Sequence, residues 1–354
     1  MLIVAVASCK EAEKPVTKEQ AAAFANSIVK SVIKRDKSIL DASFDLDMLT
    51  DRIKASSPEK PIGYWEGLKN GIANKMEFGD KILTALGKQG RYDLIKQYEK
   101  DGKQHLIFRL FADYSINYHD FELANKKGKI KVADVYIYLS GEYFSTTLNN
   151  LFTEIMDMQK GKSMSQMEQL KKLSMLMKTG KNEAAKELID ELPVNLRAVK
   201  AIQFYNIRAC SQINDSLYND AIEKFERDFP GDPSLDLVLV DGYFLKKKYP
   251  DALACVERLD KRINTDPMLD YYRALLYNLQ GKKVEAMKTL EQLHKNLPDF
   301  SSGAMELSTY YMDKNEYEKA ADLINKAKQN RDYNEEQAQN LLLLYPKLKQ
   351  YIKE

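Results

Sequence analysis

Alanines recur through the second half of this 354-residue chain at near-constant spacing. Ala221, Ala252, Ala286 and Ala320 are separated by 31, 34 and 34 residues, and Ala185 extends the series backwards by 36. One pattern surrounds them: Asn182-Glu-Ala-Ala, Tyr218-Asn-Asp-Ala, Tyr249-Pro-Asp-Ala, Lys283-Val-Glu-Ala and Tyr317-Glu-Lys-Ala. A period near 34 is that of helix–turn–helix units stacked into a solenoid. An array of this kind is built to hold another molecule rather than to carry out covalent chemistry.

The alanine sits where the two helices of a unit cross, and only a small side chain lets the backbones approach closely. Four residues later comes an apolar residue on the same helix face: Ile189, Phe225, Val256, Leu290 and Ile324. Seven residues after the alanine stand Leu192, Leu259, Leu293 and Ala327, with Asp228 breaking the rule. Gly180 and Gly281, five residues before their alanines, fall in the tight turn between helices. Leu176, Tyr243, Tyr277 and Tyr311 lie nine before, and Pro193, Pro233, Pro267 and Pro298 close several units.

Over residues 163–330 this pattern resembles the tetratricopeptide repeat family in degenerate form. The family's first-helix tryptophan and leucine-glycine pair are missing, and Asp236 and Asp270 take the tryptophan position twice. The alternative is an irregular helical bundle. Residues 331–354 supply a capping helix with Ala338, Leu341, Leu342, Tyr345, Leu348 and Ile352 apolar; Pro346 kinks it or ends its first half.

Charged residues make up 30% of the chain, yet the formal net charge is +2. That balance argues against a nucleic-acid binder, which concentrates basic side chains on one surface. No stretch approaches the roughly 20 apolar residues that span a bilayer. Three cysteines are too few for a disulfide framework and lack metal-ligand spacing. Cys210 and Cys255 read as small buried apolar residues within repeat helices.

The third cysteine follows an apolar run, Met1-Leu-Ile-Val-Ala-Val-Ala-Ser-Cys9, after which Lys10-Glu-Ala-Glu-Lys-Pro15 turns polar. Val6-Ala7-Ser8-Cys9 resembles the lipobox of bacterial lipoproteins, although a positively charged leading segment is missing. The resemblance implies a signal remnant over 1–8, lipid on the Cys9 thiol, and a tether over 9–16. It places the protein on the cell envelope, lipid-anchored to the outer membrane of a Gram-negative bacterium.

Residues 17–155 read as a separate α+β domain. Thr17-Lys-Glu-Gln20 has the form of a capping box and starts the first helix. Further helices are expected over 39–53 and 63–86, the latter carrying Trp65. The period then becomes alternating, predicting four strands over 92–99, 105–112, 116–124 and 130–139, with Asp101-Gly102 and Lys127-Gly128 as hairpin turns. Along the last strand Ala133, Val135, Ile137 and Leu139 are expected on one face; Val132, Asp134, Tyr136 and Tyr138 are expected on the other. The fold class is therefore helices on a four-stranded antiparallel sheet, similar to the cone-shaped folds related to nuclear transport factor 2 or to cystatins, followed by an all-α solenoid like that of tetratricopeptide repeats. Residues 156–167 connect the two.

Candidate sites follow from this layout. Tyr205, Tyr271, Tyr272 and Tyr310 are placed on the groove formed by the first helices, where a protein or peptide partner in the envelope binds. His119, Tyr136 and Tyr138 are placed around a small-ligand pocket between helices and sheet. His119 and Asp120 are neighbours in a strand and point to opposite faces, which argues against a shared acid–base role. Asp41, Asp45, Asp47 and Asp51 lack the glycine and glutamate of a calcium loop and are read as caps. No motif for a catalytic centre, metal or cofactor stands out, so the expected function is a membrane-anchored, non-enzymatic scaffold.

Overall fold

The computed structural model describes residues 14–56, 62–75, 77–112, 115–150, 164–232 and 234–352. The expected lipidation site at Cys9 and most of the 156–167 connection lie outside them.

The first helix, α1 (Lys18–Ile33), begins where the capping box places it: the Gln20 amide donates to Thr17 Oγ1 at 3.2 Å, and the Thr17 amide donates to Gln20 Oε1 at 2.9 Å. The helix expected over 39–53 is broken into α2 (Ser38–Ser43) and α3 (Leu46–Ser56). Phe44 leaves the helical conformation to bridge Val132, and the Asp45 carboxylate caps the new start by accepting from the Met48 amide at 2.9 Å. The helix expected over 63–86 is likewise two, α4 (Ile62–Lys75) and α5 (Phe78–Leu86).

The sheet has five antiparallel strands in sequence order: β1 (Arg91–Lys100), β2 (Lys103–Ala112), β3 (Ser115–Lys126), β4 (Lys129–Ile137) and the short β5 (Glu142–Tyr143). The fifth strand adds to the four expected. Asp101-Gly102 and Lys127-Gly128 close two-residue hairpins, with φ of 51°, 72°, 53° and 81°. Two successive left-handed residues give the turn twist that matches paired strands. One expected face assignment fails. A bulge pairs Glu122 with Asp134 but Leu123 with Val132, leaving Ala133 as the extra residue. Val132 therefore joins Val135 in the core beneath the helices.

One face of the sheet is covered by α1, α2 and α5, whose Ile28, Leu40, Phe78 and Ile82 pack on Leu106, Phe108, Phe121 and Val135. α3 and α4 form a smaller core of their own around Leu49, Ile53, Trp65 and Leu68.

The rest of the described chain is helical: α6 (Met164–Lys178), α7 (Asn182–Glu191), α8 (Val194–Ala198), α9 (Lys200–Ser211), α10 (Asp215–Asp228), α11 (Leu235–Leu245), α12 (Tyr249–Ile263), α13 (Leu269–Leu279), α14 (Lys283–Asn296), α15 (Ser301–Asp313), α16 (Tyr317–Ala327) and α17 (Glu335–Leu344). The chain thus has an α+β part followed by an all-α part. The pairs α11/α12, α13/α14 and α15/α16 each pack together and stack on the next. The five alanines are at most 5% exposed, and Ile189, Phe225, Val256, Leu290 and Ile324 are equally buried. Backbone geometry repeats with them. The amides of Lys181, Lys248, Lys282 and Glu316 donate to the carbonyls of Leu176, Tyr243, Tyr277 and Tyr311, closing each turn alike. Lys247, Gly281 and Asn315, each 34 apart, all adopt positive φ.

Candidate functional site

The second sheet face meets the helical array, and it does so along the loops that join one helix pair to the next. Each of these loops carries an aspartate. Asp232 accepts from the Ser234 amide and Asp266 from the Met268 amide, so each organises the entry of the following helix. Asp266 is fully buried: Arg109 Nη1 of β2 donates to its Oδ1 at 2.5 Å and the Tyr118 hydroxyl of β3 to its Oδ2 at 2.9 Å. Arg91 of β1 reaches the next two loops, pairing with Asp299 at 2.8 Å and Asp332 at 3.4 Å, while Arg331 returns the contact to Asp93. Apolar packing follows the same line. Ile107, Tyr118 and Tyr138 enter the core of α11–α13, and Phe111 stands edge-on to Tyr271 and Phe300 at 6.4 and 5.3 Å.

This docking relocates part of the expected partner groove. Tyr271 is buried against the chain's own sheet, a correction to its placement on an open lining. Tyr272 is half-buried between the two array cores, and Tyr205 packs at the edge of the cluster around Leu188 and Leu196. Tyr310 is buried near the far end of α15, and burial pushes its hydroxyl up to about 12.

The expected pocket of His119, Tyr136 and Tyr138 is not assembled, because strand alternation separates its members. His119 lies on the helix-covered face, buried against Phe78 and Tyr92, whereas Tyr136 pairs with Asp120 and Tyr138 packs on Tyr118 across the sheet. The His119 tautomer can be assigned. The Asn117 carbonyl oxygen accepts from the Tyr118 and Leu139 amides, which leaves its amide nitrogen to donate to His119 Nε2 at 3.2 Å. Nδ1 then carries the proton and donates to the Tyr92 hydroxyl at 3.1 Å. Burial holds this imidazole neutral and lowers its pKa to about 4. It is a satisfied core residue.

A different cluster gathers on the array-facing side. His105 of β2 and Asp120 of β3, fifteen residues apart in sequence, face each other with Nδ1 to Oδ1 at 3.1 Å. The Tyr98 hydroxyl of β1 donates to the other Asp120 oxygen, and its ring stacks on His105 at 4.9 Å. Tyr136, Tyr138 and Tyr143 continue the surface. Tyr138 meets Tyr136 edge to face at 5.2 Å and 88°, and Tyr143 meets Tyr136 at 5.4 Å and 75°. Beyond them Arg52 of α3 clasps Glu122, reaches Asp134 at 3.2 Å and lies over the Tyr143 ring at 5.8 Å. A cleft of about 400 Å³ opens beside this network, lined by Met48, Arg52, Lys103, Glu122, Ala124 and Ala133.

Burial raises the pKa of Tyr98, Tyr138 and Tyr143, and the Asp120 charge raises each further. The arrangement occupies both Asp120 oxygens, one with Tyr98 and one with His105, and presents aromatic rings beside a carboxylate. Sequence reading missed Tyr98, His105 and Tyr143 as members of a site. The alternation of strands 92–99 and 105–112 was visible, but pairing His105 with Asp120 requires the β2–β3 register.

The aspartates considered for calcium serve as caps and ion-pair partners: Asp41 accepts from the Gly79 amide at 2.7 Å, and Lys126 bonds both Asp45 and Asp47. Among the described residues, no three histidine, cysteine or carboxylate side chains converge as a metal site, and no helix is long and apolar enough to cross a membrane. Comparison with family models and with curated proteins gives no match.

Proposed function

We propose that the chain is a lipoprotein anchored through Cys9 to the outer membrane of a Gram-negative bacterium, where its helical array, in the manner of tetratricopeptide repeats, holds a protein partner. On this reading it is a scaffold and not an enzyme, and it does not bind nucleic acid. One observation carries the partner-binding claim: the two edges of the array differ. The sheet is fastened to the edge formed by the inter-pair loops. At the other edge, at the turns within pairs, Phe244, Leu279 and Val284 are 42, 43 and 65% exposed. An 11-residue first helix separates the edges by about 16 Å, so both can be occupied together. Large apolar side chains grouped on an otherwise charged surface mark an interaction face.

The test is purification of the full-length chain from its own membranes. The parent is expected to carry acyl groups on Cys9 and to bring down a stoichiometric protein partner. The double variant F244D/L279D is expected to stay folded and membrane-bound while losing that partner. Cys9→Ser is expected to leave the membrane fraction. Partner retention by F244D/L279D, or an unmodified Cys9, would overturn the corresponding half of the proposal.

A further inference from the structure

The tyrosine-rich face of the sheet carries charges that do not cancel locally. Glu122 is answered by Arg52 and Lys103, Asp134 by Arg52, Asp232 by Lys200 and Asp236 by Arg258 and Arg262. Asp120 and Glu142 differ from these. Among the described residues neither forms an ion pair with lysine or arginine; Asp120 is held by Tyr98 and His105, and Glu142 by the Thr147 hydroxyl.

The rings beside Asp120 are arranged as walls. Tyr136 stands nearly perpendicular to both Tyr138 and Tyr143, and Tyr136 and Tyr143 are half-buried rather than sealed. The hydroxyls of Tyr136, Tyr138 and Tyr143 donate to no described residue, so the rings are not positioned by polar demands of their own. The same surface already draws cations to ring faces: Arg52 lies over Tyr143, and Lys96 lies over Tyr98 at 5.0 Å. Perpendicular aromatic walls next to a carboxylate that has no lysine or arginine partner among the described residues match an alkylated ammonium ion, which gains from ring quadrupoles and needs no directed hydrogen bond.

We propose that Tyr136 and Tyr143, backed by the buried Tyr138 and with Asp120 beside them, bind a small alkylammonium cation at the seam between sheet and array. This site is independent of the partner face around Phe244 and Leu279. Tyrosine rings supply the walls, and Asp120 supplies the charge.

The test is calorimetric titration of the full-length protein at pH 8 with choline and tetramethylammonium, against the neutral isostere 3,3-dimethylbutan-1-ol. Saturable binding of the cations is expected, about tenfold tighter than of the neutral alcohol. Tyr143→Phe is expected to keep the affinity within a fewfold, since the ring face is retained, whereas Tyr136→Leu, Tyr143→Leu and Asp120→Asn are each expected to weaken it about tenfold. Thermal unfolding of each variant separates lost binding from lost fold. Phosphatidylcholine vesicles run alongside distinguish a lipid headgroup, which binds and is lost in the same variants, from a soluble cation, which binds where vesicles do not. Equal affinity for the neutral isostere, or binding unchanged in both leucine variants, would overturn the proposal.

Discussion

Arg109 and Asp266 are 157 residues apart in sequence, and their side chains meet at 2.5 Å in a site where both are almost wholly buried. The pair joins the sheet to the array. A buried charge left without its partner is costly, about 3–5 kcal/mol. Arg109→Met is therefore expected to lower unfolding stability in urea by about that amount. The double variant R109M/D266N is expected to lose less than the sum of the two single losses. Additive losses would show that the pair does not couple the two parts.

His119 makes stability depend on pH. Its folded-state pKa is near 4, below the ordinary value of 6.5, because burial disfavours the imidazolium. The unfolded chain therefore takes up the proton first. Stability is undiminished above pH 6.5 and falls as pH drops toward 4, the loss reaching about 3 kcal/mol at the low end. Urea midpoints at pH 7 and pH 4.5 are expected to differ less in His119→Gln than in the parent.

Small size at the helix crossings is expected to matter more than apolarity at the surface. Ala286 is fully buried, and Ala286→Leu is expected to destabilise the fold by about 1–3 kcal/mol. Val284, two residues away and 65% exposed, is expected to tolerate serine within about 0.5 kcal/mol.

Much of this layout is legible from residues that act locally. The alanine period marks the helix pairs, Thr17 and Gln20 start the first helix, and Asp101-Gly102 and Lys127-Gly128 fix two hairpins. What escapes depends on contacts between distant segments. Phe44 breaks a helix in order to reach Val132. The Ala133 bulge turns Val132 toward the helices. The His105–Asp120 pair follows from strand register, and the burial of Tyr271 follows from docking of the sheet. None of these leaves a periodic trace in the sequence.

The turns within pairs offer opposite signs at equivalent positions. Gly281 and Lys247 share positive φ, at 74° and 57°, and a Cβ on Gly281 would meet no atom within 4 Å. Only backbone conformation is then at stake. Gly281→Ala is expected to cost about 1 kcal/mol, and Lys247→Gly to stabilise by a similar amount, in thermal or urea unfolding. Changes of the same sign would mean that side-chain contacts govern these turns.

The most direct measurement is a photo-crosslinking scan of the membrane-bound chain, with the reactive residue placed in turn at Phe244, Leu279, Tyr271 and Phe111. Cross-links to one protein partner from Phe244 and Leu279, with only internal cross-links from Tyr271 and Phe111, are expected if the array carries its partner on the edge opposite the sheet. Partner cross-links from Tyr271 or Phe111, with none from Phe244 or Leu279, would contradict it.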